Sequence, residues 1–322
     1  MRVFVAGATG AIGRGLVPRL VAHGHQVSAT TRSTDKVELL RALGADPVVV
    51  DGLDGAAVGQ AVARAEPDAI VHQMTALAGS ADLRHFDRWF AGTNALRTQG
   101  TQHLLAAARA SAVRRFVAQS YTGWNNLRQG GPVKTEEDPF DPSPAKAQGE
   151  TDAAIRFVEK AVLEAPLDGL VLRYGNFYGL GSSEALVELV RGRKMPIIGD
   201  GGGVWSWCHL DDAAGATVAA LEGGLRGVYN VTDDEPARVA DWLPYLAQVV
   251  AAKRPLRVPV WVARLAAGEV ATRWMTEGRG SSSAKLRAAL AWRPTWASWR
   301  EGFRGALVAR VAGSATSPRR AA

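Results

Sequence analysis

The chain has 322 residues, of which 47% are hydrophobic, and this length allows one large domain or two modest ones with a sizeable core. Its single cysteine, Cys208, excludes an internal disulfide framework and fits a reducing, cytoplasmic location. The net charge of +7 comes from scattered arginines without interleaved aromatics, which argues against a nucleic-acid partner. We also expect no signal peptide and no membrane association, because no apolar run reaches the roughly 20 residues of a membrane span.

Short apolar strands alternate with amphipathic helices through the first half of the chain. We predict strands, in this order, at "RVFVAG", "QVSATTR", "PVVVD", "DAIVHQM", "RRFVAQS" and "LDGLVLRYGNFYG". We predict helices between them at "AIGRGLVPRLVAHGH", "TDKVELLRALG", "AAVGQAVARAE" and "NALRTQGTQHLLAAARASA". This alternation predicts an α/β fold, a Rossmann-like doubly wound parallel sheet, for a nucleotide-binding domain over residues 1–180.

The composition changes after about residue 180, where Gly, Trp and Pro become frequent. We predict a smaller C-terminal substrate lobe over residues 181–305. The strand candidate "GVYNVTDD" is predicted to return residues 225–235 to the main sheet. Residues 312–322 are small, polar and basic, and we predict a disordered tail there.

The first strand leads into "GATGAIG", in which Gly7, Gly10 and Gly13 are spaced as G-x-x-G-x-x-G. Gly7 permits the tight turn, Gly10 lets a pyrophosphate approach the backbone, and Gly13 lets the helix pack closely on the strand. The N-terminus of that helix offers free N–H groups and a partial positive charge to phosphates. The strand–turn–helix context favours a dinucleotide site over a purely structural glycine turn.

The end of the second strand, "ATTRST", distinguishes between the two nicotinamide dinucleotides. An NAD site usually has a carboxylate here for the ribose 2′-hydroxyl, but the first acidic residue is Asp35. Arg32, flanked by Thr31 and Ser33, suits a 2′-phosphate, and Arg14 beside the third glycine can reach the same anion. We therefore predict NADP rather than NAD; the alternative is that Arg32 is a solvated loop residue.

These features resemble the extended short-chain dehydrogenase/reductase family, the group of NAD(P)-dependent epimerases and dehydratases. The resemblance covers residues 1 to about 305 and also rests on "VVVDGLD", "DAIVHQMTAL", "RRFVAQSYTGW", "LRYGNFYG", "GDGGGVWSWCHLDDAA" and "SSAKLRAALAWRP". It implies hydride transfer with a nicotinamide cofactor and, as in many members, a homodimer. It also implies cofactor contacts from Thr9, Ala11, Ile12, Asp51, Gly52, Leu53, Gln73, Met74, Thr75, Tyr174, Gly175 and Asn176.

The family's catalytic pair is a tyrosine and, four residues later, a lysine. A tyrosine titrates near pH ~10 without help, so a neighbouring cation is needed for acid–base work near neutrality. No tyrosine occurs between residues 125 and 170. Lys146 follows Pro142 at the required interval, and a second register places Thr151 at the lysine position. The sequence therefore predicts an atypical member without this pair.

Three hydroxyl side chains follow the fifth strand, where the resemblance places a catalytic Ser or Thr. Tyr121 is the first candidate for the missing acid, and Ser120 and Thr122 are candidates to bind the substrate oxygen. Alternatively, Tyr121 packs in the pocket wall, and water or a phenol or enol of the substrate supplies the proton. Asn94 either orders a water in the proton relay or caps its helix.

Large apolar side chains, Trp124, Trp205, Trp207 and Met275, lie in loops that face the nicotinamide in this family. We predict that they form an apolar substrate site, with lobe packing as the alternative. No histidine has metal-ligand spacing, so we expect no metal.

The first functional hypothesis is an NADP-dependent oxidoreductase that reduces a ketone or enone on a fairly apolar small molecule. One alternative is a nucleotide-sugar epimerase or dehydratase, whose diphosphate contacts would come from Arg191, Arg193, Lys194 and Arg279. The other is a non-catalytic NADP-binding redox sensor, which the missing tyrosine motivates.

Overall fold

The computed structural model describes residues 1–77 and 81–314, and its centre is a parallel sheet of seven strands. The strands are β1 (Arg2–Ala6), β2 (Gln26–Thr31), β3 (Asp46–Val49), β4 (Ala69–His72), β5 (Arg115–Tyr121), β6 (Asp168–Tyr174) and β7 (Gly227–Val231). Their spatial order is β7-β6-β5-β4-β1-β2-β3, and all neighbours are parallel. The order reverses between β1 and β4, which opens a crevice at the carboxyl ends of these strands. The predicted Rossmann-like fold is confirmed.

Helices cover both faces of the sheet because its central strands are apolar on both sides. In β1, Val3 and Val5 face one core, and Phe4 and Ala6 face the other. The helices are α1 (Gly13–Ala22), α2 (Val37–Ala42), α3 (Gly55–Ala65), α4 (Phe86–Ala95), α5 (Thr101–Ala110), α6 (Gly149–Leu163), α7 (Glu184–Arg191), α8 (Leu210–Glu222), α9 (Val239–Val249), α10 (Val260–Glu277), α11 (Ala284–Leu290) and α12 (Trp299–Ser314). Helices α1, α8 and α11 pack on the first face, and α3, α5 and α6 pack on the second.

The lobe beyond β6 has its own apolar core, built largely from tryptophan. Trp207, Trp242, Trp299 and Phe303 are fully buried there, between α9, α12 and short strands. Those strands pair as Asn176–Tyr178 with Trp207–His209, Ile197–Ile198 with Arg257–Val258, Val204–Trp205 with Ala237–Arg238, and Val133–Lys134 with Gly280–Ser281.

The chain returns to the main sheet after the lobe and ends in a helix. Strand β7 pairs in parallel with β6, as the sequence predicts for this segment. Helix α12 extends to Ser314 and so includes residues 312–314, which the sequence assigns to the tail. The rest of that predicted tail, 315–322, lies outside the described residues.

The helix predicted to begin at Asn94 begins eight residues earlier, at Phe86. Asn94 is therefore inside α4, and its interpretation as a helix cap is wrong. A π-helical turn, Leu96–Gly100, joins α4 to α5, and such turns are frequent at functional sites.

Candidate active site

A cavity of about 790 Å³ opens at the carboxyl ends of β1, β2 and β4, where the strand order reverses. Twelve predicted cofactor residues line it: Gly7, Thr9, Gly10, Ala11, Ile12, Thr31, Arg32, Ser33, Gly52, Gln73, Met74 and Thr75. Sequence reasoning missed other lining residues, namely Thr30, Lys36, Val50, Ala76, Leu77, Leu96, Gln119, Phe177, Gly181, Ser182, Glu184 and Ala185. Most of these are apolar or small, and only the folded chain brings them to one crevice.

The glycine loop has no room for side chains at two of its three glycines. Gly7 has φ +91°, and a Cβ there would lie 2.6 Å from the backbone carbon of Gln73. A Cβ on Gly13 would lie 2.4 Å from the carbonyl oxygen of Ala8, so α1 packs directly on the loop. At Gly10, by contrast, a Cβ would meet only the Gly7 oxygen, at 3.2 Å. The loop thus presents bare backbone to the cavity, as a dinucleotide pyrophosphate requires.

At the far end of the cavity, two cationic side chains follow β2. Arg32 and Lys36 are exposed and line the cavity. Arg14 is also exposed, but it turns back to donate to the Thr9 carbonyl oxygen at 3.1 Å and does not line the cavity. Lys36 is therefore better placed than Arg14 to share a phosphate with Arg32.

Several predicted cofactor residues lie outside the cavity lining. Asp51 and Leu53 are exposed, and the Asp51 carboxylate accepts from the Leu53 amide at 3.0 Å. Tyr174 is fully buried, and its hydroxyl lies 2.7 Å from the Thr217 hydroxyl. Gly175 packs against the Ser206 carbonyl, which a Cβ would approach to 2.7 Å. For these residues, a contact with the cofactor stays a prediction.

The two registers of the missing tyrosine–lysine pair have different surroundings. Lys146 is exposed in a 3-10 turn that precedes α6. Thr151 is buried inside α6, where its hydroxyl accepts from the Asn94 amide at 3.0 Å and donates to Asp87 at 2.6 Å. The Thr151 side chain therefore lies in the interface between α6 and α4. Ala147 stands four residues before it.

The hydroxyls of residues 120–122, at the end of β5 and directly after it, point to different environments. Ser120 is buried and donates to Glu159 at 2.6 Å, and Glu159 forms a buried bidentate ion pair with Arg173 at 2.6 and 2.8 Å. Thr122 is also buried and donates to Asn126 at 3.0 Å. Only Tyr121 of the three is partly exposed, on the side of β5 that carries the cavity residue Gln119.

The Tyr121 hydroxyl is fixed by its neighbours. It donates to the Asn176 side-chain oxygen at 2.9 Å, and the Asn176 amide donates to the Ser206 carbonyl at 3.1 Å, which sets the orientation of that amide. Gly123, with φ +153°, makes room for the ring, because a Cβ there would lie 2.4 Å from the hydroxyl. Burial raises the pKa of Tyr121 well above its usual range. The phenol thus remains protonated, with its proton directed to Asn176.

The four predicted substrate residues separate into two groups. Trp205, Trp207 and Met275 are buried in the lobe core, where Trp205 stacks on Trp274 at a centroid distance of 4.0 Å. They do not line the cavity, which agrees with the packing alternative. Trp124 lies nearer β5 and stacks on Tyr121 at 4.8 Å.

Comparison with known proteins places this geometry in a family. Residues 3–232 match the model of the NAD dependent epimerase/dehydratase family. The chain belongs to that family. The extended short-chain dehydrogenase/reductase resemblance is thereby confirmed. The chain is 44% identical over 310 residues to the 3-diazoavenalumate denitrifying reductase of a Streptomyces species, covering 94% of this chain and 99% of that protein.

Two further comparisons agree with this assignment. A ketoreductase of Stigmatella aurantiaca, which acts on a 4-hydroxy-2-methyl-3-oxo-4-farnesyl-3,4-dihydroquinoline-1-oxide, is 29% identical over 275 residues, covering 83% of this chain and 79% of that protein. The UDP-glucose 4-epimerase of Thermus thermophilus, solved with NAD, has a TM-score of 0.73 at 25% identity and covers 98% of this chain and 100% of its own. The protein is an NAD(P)-dependent oxidoreductase of the short-chain dehydrogenase/reductase type.

In the described ranges, 1–77 and 81–314, no helix is long and apolar enough to cross a membrane, and no group of metal-ligating side chains occurs.

Proposed function

We propose that this protein is an NADPH-dependent reductase whose acceptor takes a hydride without needing a proton from the protein, and that the acceptor is an aryl diazo compound. The observation that carries the proposal is that neither register has a tyrosine at the position of the family's acid: Pro142 stands four residues before Lys146, and Ala147 stands four residues before Thr151. The hydroxyl of Tyr121, the nearest substitute, donates a hydrogen bond to the Asn176 side-chain oxygen instead. The 44% identity with a reductase named for a diazo substrate supports the same acceptor class.

The charges beside the cavity support NADP rather than NAD as the cofactor. Arg32 and Lys36 line it after β2, and the first carboxylate after that strand, Asp35, accepts from the Ser33 hydroxyl at 3.1 Å. A guanidinium and an ammonium together suit the 2′-phosphate that distinguishes NADP from NAD. The glycine loop would hold the pyrophosphate, and a bound NADPH would supply the hydride.

The balance of atoms separates the two acceptor classes. An aryl diazonium cation that takes a hydride on its terminal nitrogen becomes a neutral diazene, and loss of N₂ leaves the aryl C–H. That sequence consumes one hydride, which carries both electrons, and requires no added proton. A ketone that takes a hydride becomes an alkoxide, which needs a proton from a donor such as the family's tyrosine.

A ketone or enone reductase remains the second candidate, because Tyr121 is partly exposed at the end of β5. Names of two relatives at 29% and 28% identity, a ketoreductase and an oxoalkanoate reductase, support it. The nucleotide-sugar alternative gains less support, since Arg191, Arg193, Lys194 and Arg279 do not line the cavity. A homodimer and a cytoplasmic location stay predictions.

The test is a cofactor titration followed by turnover. Binding of NADPH and of NADH would be followed by tryptophan fluorescence, and tighter binding of NADPH is expected. Oxidation of NADPH would then be followed with 4-methoxybenzenediazonium and with phenanthrenequinone, together with chromatography of the arene product. Turnover of the quinone alone would favour the second candidate, and turnover of neither would contradict both.

A further inference from the structure

Arg97 is a buried cation without a close ion pair among the residues described. It lies in the π-helical turn between α4 and α5 and is 7% exposed. Its Nη1 has no hydrogen-bond partner, and in residues 1–77 and 81–314 no carboxylate lies within 4.0 Å of its guanidinium. Buried arginines are normally paired, because an unpaired charge loses its hydration without compensation. A group that is absent from the folded chain is therefore expected to pair with Arg97.

The surroundings of Arg97 are polar but do not neutralise it. Burial lowers the pKa of Arg97 to about 10, although the charge of Asp152 acts in the opposite direction, so the guanidinium stays charged at neutral pH. Burial also lowers the pKa of nearby His72 to about 4, so this imidazole is neutral. Asp152, on α6, is 3% exposed, and burial raises its pKa to about 7. One oxygen of Asp152 and the side-chain oxygen of Asn94 are also buried without partners.

The position of Arg97 connects it with the candidate active site. Arg97 does not itself line the cavity, but its neighbour Leu96 does. The Arg97 guanidinium lies 5.5 Å from the centre of the Phe90 ring. The ring centroids of Phe90 and Trp124 are 6.2 Å apart, and Trp124 stacks on Tyr121 at the end of β5. An aromatic ligand with one anionic group could thus use both the rings and the cation.

We propose that Arg97 is the anion-binding residue of the substrate site and that it takes a carboxylate of an aromatic substrate. A carboxylate matches the guanidinium in charge and in its two-oxygen geometry. A phosphate dianion would need a second cation or several backbone donors, whereas Arg97 is bordered by Phe90, neutral His72 and Asp152. The inference rests on the proposed function only in assuming that the substrate binds beside the cofactor cavity.

The first test uses the stability of the cofactor-free protein. Arg97→Leu removes a buried charge that has no ion pair within 4.0 Å in the described part of the chain and should raise the melting temperature by about 2 °C or more. Arg173→Leu is the matched control: Arg173 is paired with Glu159, so its removal should lower the melting temperature. If Arg97→Leu lowers the melting temperature as much as Arg173→Leu does, Arg97 has a structural role and the proposal is overturned.

The second test measures binding by tryptophan fluorescence, with cinnamate, its methyl ester and phenyl phosphate as probes. Wild-type protein should bind cinnamate at least about tenfold more tightly than the ester, and Arg97→Leu should remove that preference. Arg88→Leu, an exposed arginine on α4, should leave it unchanged. Equal affinity for acid and ester, no cinnamate binding, or a preference for the phosphate would each refute the carboxylate site. This test measures binding and not NADPH oxidation. A failure of the carboxylate site is therefore distinguishable from a failure of the proposed reductase activity.

Discussion

Asp152 beside the candidate site should make the stability of this protein depend on pH. Burial raises the pKa of its carboxyl to about 7, and the charges of Asp141 and Asp87 act in the same direction. A hydrogen bond from the Gln148 amide at 3.1 Å and the charge of Arg156 oppose the shift without cancelling it. In the unfolded chain the same carboxyl titrates near pH ~3.9.

The sign and size of the effect follow from these two values. Between about pH 4 and about pH 7 the folded protein keeps a proton that the unfolded chain has released, so stability falls as pH rises. At about 1.4 kcal/mol per unit of pKa, the full loss approaches about 4 kcal/mol, an upper figure for one buried group. The contribution is complete below about pH 4 and is lost as pH rises through about 7.

Asp152→Asn removes the charge and keeps the side-chain shape, so the variant should lack this slope. We would measure unfolding in guanidinium chloride by tryptophan fluorescence at about pH 5 and about pH 8. Relative to wild type, the unfolding free energy of Asp152→Asn should increase by at least about 2 kcal/mol from about pH 5 to about pH 8. That of Asp46→Asn, an exposed control, should not change relative to wild type. If the difference between Asp152→Asn and wild type is the same at both pH values, the carboxyl is ionised in the folded protein and the reasoning fails.

Three further substitutions test the cofactor loop and the acid position. Arg32→Glu should weaken NADPH by about tenfold or more and NADH much less in fluorescence titrations; equal losses would contradict the choice of NADP. Gly13→Ala should lose about 1–3 kcal/mol of unfolding free energy, because its Cβ would meet Ala8, whereas Gly59→Ala in open space should gain up to about 1 kcal/mol. Tyr121→Phe should change turnover of a diazonium by less than about twofold. A loss of about 10²-fold would instead identify Tyr121 as the acid.

Local patterns in the sequence determined the sheet and the cofactor loop. Apolar runs that alternate with helical spacing specify buried parallel strands, and six predicted strand segments correspond to β1 through β6. The spacing of Gly7, Gly10 and Gly13 needs only a strand, a turn and a helix, all adjacent in the chain. The sequence therefore predicts, without knowledge of any tertiary contact, that the glycine loop and Arg32 after β2 line the cofactor site.

Only the tertiary structure decided what the polar and aromatic side chains do. Ser120 and Tyr121 are adjacent in sequence, yet one contacts Glu159 behind the sheet and the other Asn176 beside the cavity, because successive strand residues face opposite sides. Trp207 is buried because the other apolar side chains of the lobe pack around it. Arg97 is unpaired because burial brings no carboxylate within 4.0 Å of it among the described residues. Burial and pairing of a side chain depend on residues that are far apart in the chain, and only the fold sets the distances between them.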